Sequence, residues 1–273
     1  MTTNVTSTSL LPKNCFVGMF DVIGFKALRE LKGTSGLHQQ FIRGMLPAIQ
    51  HAAAGKGKVE KVNGMDMYVP NFAGSCISYR FISDSVIFFS PDDSFDSFFQ
   101  IVNSAFMLLQ SGFNGGKAPY RGAISWGDLV DDPRGILLGS AIEDAHAGES
   151  CQTWAGAMLT KACRDYVDQK KFVEAFAAVH LQASEIETEQ RSRRTAEENS
   201  KKLVRFPVPT QHNPKDGPAM YSELPTYVID WTIRMYEGAS RKSFDPSTSL
   251  HSQTIAKNTQ DFEEWARKYN RKN

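Results

Sequence analysis

The sequence lacks the cysteine and histidine patterns of zinc-stabilised or disulfide-bonded proteins. Its 273 residues include four cysteines, with no CxxC pair and no histidines at zinc-finger spacing. A structural zinc site is therefore not expected. Cys15 and Cys76 stand in apolar runs that are typical of strands. Buried thiols of this kind suit a reducing compartment, so the sequence indicates a cytoplasmic protein.

A charge excess and long hydrophobic runs are also missing. The chain has 31 basic and 30 acidic residues and a net charge of +1, which argues against a bulk nucleic-acid binder. No run approaches the about 20 apolar residues that cross a bilayer, so no membrane association is expected. Residues 1–9 are rich in Thr, Ser and Asn and lack a signal-peptide pattern. We expect residues 1–13 to form a flexible N-terminus and residues 14–273 to form one domain.

The composition that is present, 41% hydrophobic and 22% charged residues, is typical of a soluble globular protein. In the first half of the chain, apolar periodicity predicts a strand, two helical segments, a β-hairpin and an amphipathic helix, at residues 16–20, 25–31, 37–54, 75–90 and 95–110. Gly33 is expected to interrupt the helical region and Pro47 to kink or break it.

The second half of the chain alternates in the same way. It predicts a strand, a helix rich in small residues, a segment of either type, two strands and a terminal helix, at residues 120–130, 139–161, 172–180, 204–209, 227–231 and 247–273. Pro207 and Pro209 place the first of the two late strands at a sheet edge. Residues 185–202 are dense in charges of both signs, which is typical of a solvated helix or linker.

The first candidate site lies at the end of the first predicted strand. Phe16–Phe20 is apolar, Asp21 follows it, and the chain turns at Gly24 before a helix-like segment. A charge at the end of a buried strand is costly without a partner, and a metal ion is one such partner. Glycine permits a tight turn, and N–H groups at a helix start favour bound phosphate. The pattern indicates either a metal–phosphate site or a helix-capping aspartate.

A second isolated acid, Asp84, lies at the predicted tip of the hairpin. Arg80 precedes it by four residues, and because even offsets in a strand share a face, we expect both side chains on one side. Two metal ions shared by two aspartates hold both the attacking oxygen and the leaving group in a phosphoryl displacement. Asp21 and Asp84 meet this requirement if their strands are neighbours; otherwise each is an ordinary turn residue.

Three further residues have two interpretations each. Arg121 would contact phosphate or pair with an acid inside the fold. His146 would lie near the site or, as is commoner for a helix histidine, pack or face water. Trp126 would cover a base or, more commonly, pack in the core or at a dimer interface.

Four segments of the chain resemble class III nucleotidyl cyclases, in the order in which that family has them. Residues 16–25 resemble the first strand and turn, residues 81–89 the hairpin with its Gly-Asp step, and residues 120–130 a later strand with its His-Thr-Gly-like turn. Residues 139–147 fall where the family has Gly-x-x-Val-Asn-x-Ala-x-Arg. The resemblance covers about residues 15–165 and leaves 166–273 as an extension. It implies an α/β fold of the ferredoxin-like type, a mostly antiparallel sheet covered by helices.

The chain departs from the family at the residues that read adenine. Arg80 stands where the family has its adenine-selecting lysine, and Ile136 stands where it has a base-reading acid. Glu143 and Ala147 replace the asparagine and arginine that support the transition state, whereas both metal-binding acids are present. An arginine donates to carbonyl oxygens such as those of uracil and cannot accept from an amino group.

In these departures the chain is similar to the pyrimidine cyclases of the bacterial Pycsar antiphage system. The resemblance implies a homodimer with composite active sites that converts UTP or CTP to a 3′,5′-cyclic nucleotide for a separate effector. Residues 139–161 would contribute from the second chain. It also implies two Mg²⁺ or Mn²⁺ ions per site, held by Asp21, Asp84 and the Val22 carbonyl. The phosphates would bind to the backbone of the turn formed by Ile23, Gly24, Phe25 and Lys26. Arg80 would read the base.

Other functions fit the same residues. A CTP-specific cyclase is possible because cytosine also presents a carbonyl oxygen to Arg80. An ordinary adenylyl or guanylyl cyclase, or a catalytically silent cyclase-like protein that binds a nucleotide or a partner, would also carry these segments. The intact pair Asp21 and Asp84 favours an enzyme, a phosphorus–oxygen lyase, and we expect UTP as its substrate.

Overall fold

The structure is a computed structural model that describes residues 11–53, 58–62, 65–69, 76–113, 118–186, 197, 200–211, 220–221, 225–233, 235 and 250–272. The expected flexible N-terminus lies mostly outside these residues, and so does the charge-dense segment 185–202.

Most of the described strands form one eight-stranded sheet. The strands are β1 (Lys13–Val22), β2 (Lys58–Val62), β3 (Met65–Val69), β4 (Ser78–Ile82), β5 (Ser85–Phe89), β6 (Tyr120–Asp131), β7 (Leu137–Leu138), β8 (Gly156–Leu159), β9 (Leu203–Phe206), β10 (Pro209–Thr210), β11 (Met220–Tyr221) and β12 (Thr226–Ile229). The order across the sheet is β4-β5-β1-β6-β8-β12-β9, with β7 paired to β6. Its pairs are antiparallel except β6 with β8, which is parallel. β2–β3 and β10–β11 are separate two-stranded ribbons.

Helices cover both faces of this sheet. They are α1 (Phe25–Gln40), a π-helical segment (Phe41–Met45), α2 (Leu46–Ala53), α3 (Phe95–Phe113), α4 (Ser140–Ser150), α5 (Lys161–Lys170), α6 (Phe172–Ile186) and α7 (Leu250–Lys272). The predicted α/β fold, with a mostly antiparallel sheet covered by helices, is confirmed. None of the described helices combines the length and the apolar content needed to span a bilayer.

Alternation along β1 determines which residues meet which helices. Phe16, Phe20 and Val22 belong to the large core that includes α3, whereas Cys15 and Val17 pack with alanines of α4. Successive side chains of a strand point to opposite faces. Asp21 therefore lies on the same face as Cys15 and Val17, which we call the α4 face.

The early helical region breaks where glycine and proline predict it. Gly33 has a left-handed φ of 67° inside α1, so its residues form two helical pieces across a kink. Pro47 lies at the start of α2, directly after the π-helical segment. Proline lacks an N–H and its ring crowds the carbonyl four residues earlier, so it distorts a regular α-helix; here the π-helical turn lies directly before it and the chain stays helical through Ala53.

The predicted helix over residues 139–161 is wrong in its second half. The helix α4 ends at Ser150, and Gly156–Leu159 is the buried strand β8 at the parallel step of the sheet. Alanine favours helices, but pairing with β6 and burial outweigh this preference here. Glycine is needed at position 156 of this strand, because a Cβ atom there would lie 2.5 Å from the ring of Trp154.

The extension beyond residue 165 joins the same sheet. The strand β12 pairs with β8 on one side and with β9 on the other, so β9 is at the edge, as its two nearby prolines predict. The segment at 172–180 is part of helix α6. The predicted terminal helix is α7, and its Phe262 is fully buried against Trp154.

Candidate active site

Asp21 occupies the sheet position that the sequence predicts, near the end of β1. It lies opposite Ser85 of β5 on one side and opposite Arg121 of β6 on the other. Its side chain retains 24% of its solvent exposure. The predicted condition for a shared site, that β1 and the hairpin β4–β5 are neighbours, is met.

Asp84 lies in the tight turn between β4 and β5. Ser83 before it has a left-handed φ of 58°, which closes the turn. The N–H of Val22 donates to the Asp84 carbonyl at 3.1 Å, so the turn is attached to the end of β1. This bond holds Asp84 next to Asp21, and the charge of Asp84 acts on the Asp21 carboxylate.

The turn after β1 brings a helix start to the same place. Gly24 has a φ of 79°, which glycine adopts without strain, and α1 begins at Phe25. The N–H of Ile23 donates to the Pro119 carbonyl at 2.9 Å and is therefore already used. The backbone donors left for a phosphate are those of Gly24, Phe25 and Lys26, because the first N–H groups of a helix have no partner within it.

A buried arginine–glutamate pair borders the two aspartates. The Arg121 guanidinium lies 3.6 Å from the Asp21 carboxylate and donates to Glu149 at 2.6 Å and to the Gln152 carbonyl at 3.0 Å. Glu149 retains only 4% of its side-chain exposure and also accepts from Ser150. The interpretation of Arg121 as an internal partner of an acid is confirmed.

The electrostatics of the site follow from this arrangement. The pKa of Asp21 is raised to about 7, chiefly by burial and then by the nearby charges of Glu149 and Asp84, while Arg121 opposes the rise. The Arg121 guanidinium is thus flanked by the carboxylates of Asp21 and Glu149, and Asp84 adds a third negative charge near Asp21. A divalent cation would balance this negative excess, and the oxygen donors present are those that Mg²⁺ prefers.

The residues fit a metal ion that is completed by other oxygens. Within the described parts of the chain, no three His, Cys, Asp or Glu side chains converge on one metal position. Asp21 and Asp84 would thus supply two carboxylates and leave further positions to a backbone carbonyl, water or substrate phosphate. Mg²⁺ is commonly bound in this way, by one or two carboxylates and phosphate oxygens.

Arg80 does not join these acids within one chain. It pairs with Ile87, which pairs with Met19, so it shares the α4 face with Asp21. Its guanidinium packs over the Phe89 ring and donates to Asp131 at 3.0 Å. Phe89 lies opposite Val17 in the middle of β1, and Asp131 follows Leu129, which lies opposite Lys13 at the other end of β1 from Asp21. The expected common orientation of Arg80 and Asp84 does not follow from strand alternation, because Asp84 lies in the turn rather than in the strand.

The helix α4 carries the other positions that distinguish the chain from cyclases. Glu143 and Ala147 lie one turn apart on its exposed side, and His146, 63% exposed, also faces outward near Glu149.

Ile136, before β7, is 47% exposed. Trp126 stacks on Tyr166 at 4.1 Å between ring centroids, which matches the packing interpretation.

Glu149 is the site residue that sequence reasoning missed. Its signal was its phase: Ala141, Ala145 and Glu149 are spaced by four and share the buried side of α4. A carboxylate in register with buried alanines needs a buried partner, which a cation can supply. A helix predicted through residue 161 obscured this, because it suggested no particular face for the segment.

No family model and no curated protein matches the sequence. Solved structures of nucleotide cyclase domains do match the fold. The catalytic core of a rhodopsin–guanylyl cyclase with converted specificity, in complex with ATPαS, is 12% identical over 80% of this chain and 96% of its own, with a TM-score of 0.49. The guanylyl cyclase domain of the RhoGC fusion protein from the aquatic fungus Blastocladiella emersonii is 11% identical over 80% and 95%, with a TM-score of 0.47.

An adenylate/guanylate cyclase/hydrolase from Silicibacter pomeroyi is 14% identical over 80% of this chain and 95% of its own, with a TM-score of 0.37. The similar structures are thus adenylyl and guanylyl cyclase domains. What these structures share with this chain is the fold.

Proposed function

We propose that the chain is a nucleotide cyclase that converts UTP to 3′,5′-cyclic UMP and pyrophosphate with two divalent metal ions. The observation that carries the proposal is the adjacency of Asp21 and Asp84 beside the start of helix α1. Two carboxylates and a turn of backbone donors are the groups that a metal–triphosphate needs.

Each residue has a defined role in this reaction. Asp21 and Asp84, with the Val22 carbonyl, would hold the cations, and the backbone of Gly24, Phe25 and Lys26 would bind the β- and γ-phosphates. When bound, the metal ions supply Lewis acidity at the ribose 3′-hydroxyl and at the phosphates. The 3′-oxygen forms a bond to the α-phosphorus, the bond to the bridging oxygen breaks, and the hydroxyl proton is lost to solvent as pyrophosphate leaves.

A homodimer with composite active sites, which the sequence resemblance implies, would bring Arg80 of one chain to the acids of the other. Arg80, on the same sheet face but directed to the far end of β1, would read the base bound at the partner's aspartates. The Arg80 side chain is 43% exposed, so its ion pair with Asp131 can be exchanged. The guanidinium is therefore available to donate to a uracil carbonyl. The cyclic product would act as a second messenger for a separate effector in antiphage defence, a role that rests on the sequence resemblance.

The test is a panel of nucleotides. The purified dimer is incubated with UTP, CTP, ATP and GTP in turn, with Mn²⁺ or Mg²⁺, and cyclic products and pyrophosphate are separated by chromatography. Cyclic UMP as the main product supports the proposal, and cyclic CMP, AMP or GMP as the main product would correct the base. If a folded dimer makes no cyclic nucleotide from any of the four, the chain is a silent cyclase-like protein.

A further inference from the structure

The site holds a charge arrangement that the two metal-binding aspartates alone do not require. Arg121 is the cation nearest to Asp21 among the contacts of this site, yet it lies 3.6 Å from that carboxylate and 2.6 Å from Glu149. The carbonyl of Gln152 holds a second nitrogen of the same guanidinium at 3.0 Å. The Nε and Nη1 atoms of Arg121 thus donate to Glu149 and Gln152, whereas its Nη2 makes only a longer ion pair, and no hydrogen bond, with Asp21.

Glu149 and Gln152 are themselves firmly placed. Glu149 lies in phase with the buried alanines of α4 and accepts a hydrogen bond from Ser150 at 3.1 Å. Gln152 is fully buried, and its side-chain amide donates to the carbonyls of Gly122 and Gly148. Glu149 and Gln152 therefore fix the position of the Arg121 guanidinium from the end of α4.

We propose that Glu149 is a positioning residue that draws Arg121 away from Asp21 and so keeps this carboxylate free for a divalent cation. Without Glu149, the guanidinium would move to Asp21 and compete with the metal ion. With it, the charge of Arg121 is offset by Glu149, and the charges of Asp21 and Asp84 are left to a divalent ion. The inference rests on the proposed metal site but not on cyclisation of any nucleotide.

The proposal predicts effects of opposite sign for the two partners. Glu149→Gln releases Arg121 toward Asp21, so Mn²⁺ should bind about 10- to 100-fold more weakly, the range typical for residues that orient metal ligands. Arg121→Gln removes the competing cation and should tighten Mn²⁺ binding. The double variant loses both charges and should bind more tightly than Glu149→Gln alone.

The experiment measures Mn²⁺ alone, by electron paramagnetic resonance of the free ion, on the full chain without nucleotide. A matched control is Glu263→Gln, because Glu263 pairs with Arg267 at 3.0 Å and the two pairs are similarly buried. The glutamates are 5% and 4% exposed in the control pair and the site pair, and the arginines are 20% and 17% exposed. This control should leave Mn²⁺ affinity unchanged. Circular dichroism of each variant checks its fold.

Unchanged Mn²⁺ affinity in folded Glu149→Gln would overturn the proposal, as would weaker binding in Arg121→Gln or no Mn²⁺ binding by the wild-type chain. If Glu149→Gln fails to fold, the double variant replaces it, and binding tighter than or equal to wild type supports the proposal while weaker binding contradicts it. Failure of the proposed function looks different: the wild-type chain binds Mn²⁺ but forms no cyclic product.

Discussion

The α4 face of the sheet carries an arginine–carboxylate pair near each end of β1, and the two pairs differ in burial and charge. Arg121 with Glu149 is 17% and 4% exposed and stands beside two more carboxylates. Arg80 with Asp131 is 43% and 29% exposed and packs over Phe89. An exposed pair is energetically weak and exchanges partners easily, whereas breaking a buried pair leaves an uncompensated charge. The first pair is therefore suited to organising a site, and the second to meeting a ligand.

Removing a metal-binding acid from the buried end should have the largest effect. Asp21→Asn and Asp84→Asn each delete a negative charge that a cation requires, so cyclic nucleotide formation should fall to background. The product is measured by chromatography, with the fold and dimer checked by circular dichroism and light scattering. The matched control is Asp261→Asn, which removes an exposed acid paired with Lys257 on α7 and should keep full activity. Appreciable turnover by either site variant would contradict the metal roles.

Breaking the buried ion pair should lower the free energy of unfolding more than breaking the exposed one. Arg121→Met leaves Glu149 buried without its partner, so the free energy of unfolding should fall by about 3–5 kcal/mol. Arg80→Met should lower it by less than about 1 kcal/mol, because both partners keep access to water. Urea titrations followed by circular dichroism, without metal ions, compare the two variants directly. Equal losses would show that burial does not distinguish the pairs.

The elements at the two ends were not equally predictable from the sequence. Apolar runs and turn residues predicted β1, the hairpin and α3, because strand and helix periodicity is local. The adjacency of Asp21 and Asp84 was predicted only on the condition that their strands are neighbours, and the register of β1 with β5 meets it. Their metal-binding role stays a prediction.

Glu149 and the direction of Arg80 were missed at the sequence level for physical reasons. Alanine and glycine are compatible with both a helix and a buried strand, so residues 139–161 did not show where α4 ends and β8 begins. The partner of Arg80 is Asp131, which is 51 residues away along the chain. Such long-range pairs depend on how β4 and β6 are positioned across the sheet, and local patterns do not report that.

Arg80 should give the smallest effect on stability and a selective one on activity. If it reads uracil, Arg80→Met should lower kcat/KM for UTP by about 10- to 100-fold, the loss of hydrogen bonds from a charged group, while α7 and the core stay intact. Arg267→Met on α7 is a control for loss of an arginine, since Arg267 pairs with Glu263 far along the chain from the site, and it should keep the preference for UTP.

Mixing variants then tests whether Arg80 acts across the dimer. If it serves the partner's acids, Arg80→Met mixed with Asp21→Asn should recover about a quarter of the wild-type rate, because half of the exchanged dimers are mixed and each holds one intact site of two. If Arg80 acts within its own chain, every site in the mixed dimer has one defect and the rate stays at the level of the separate variants. Recovery would show that the exposed pair of one chain and the buried acids of the other form a single active site.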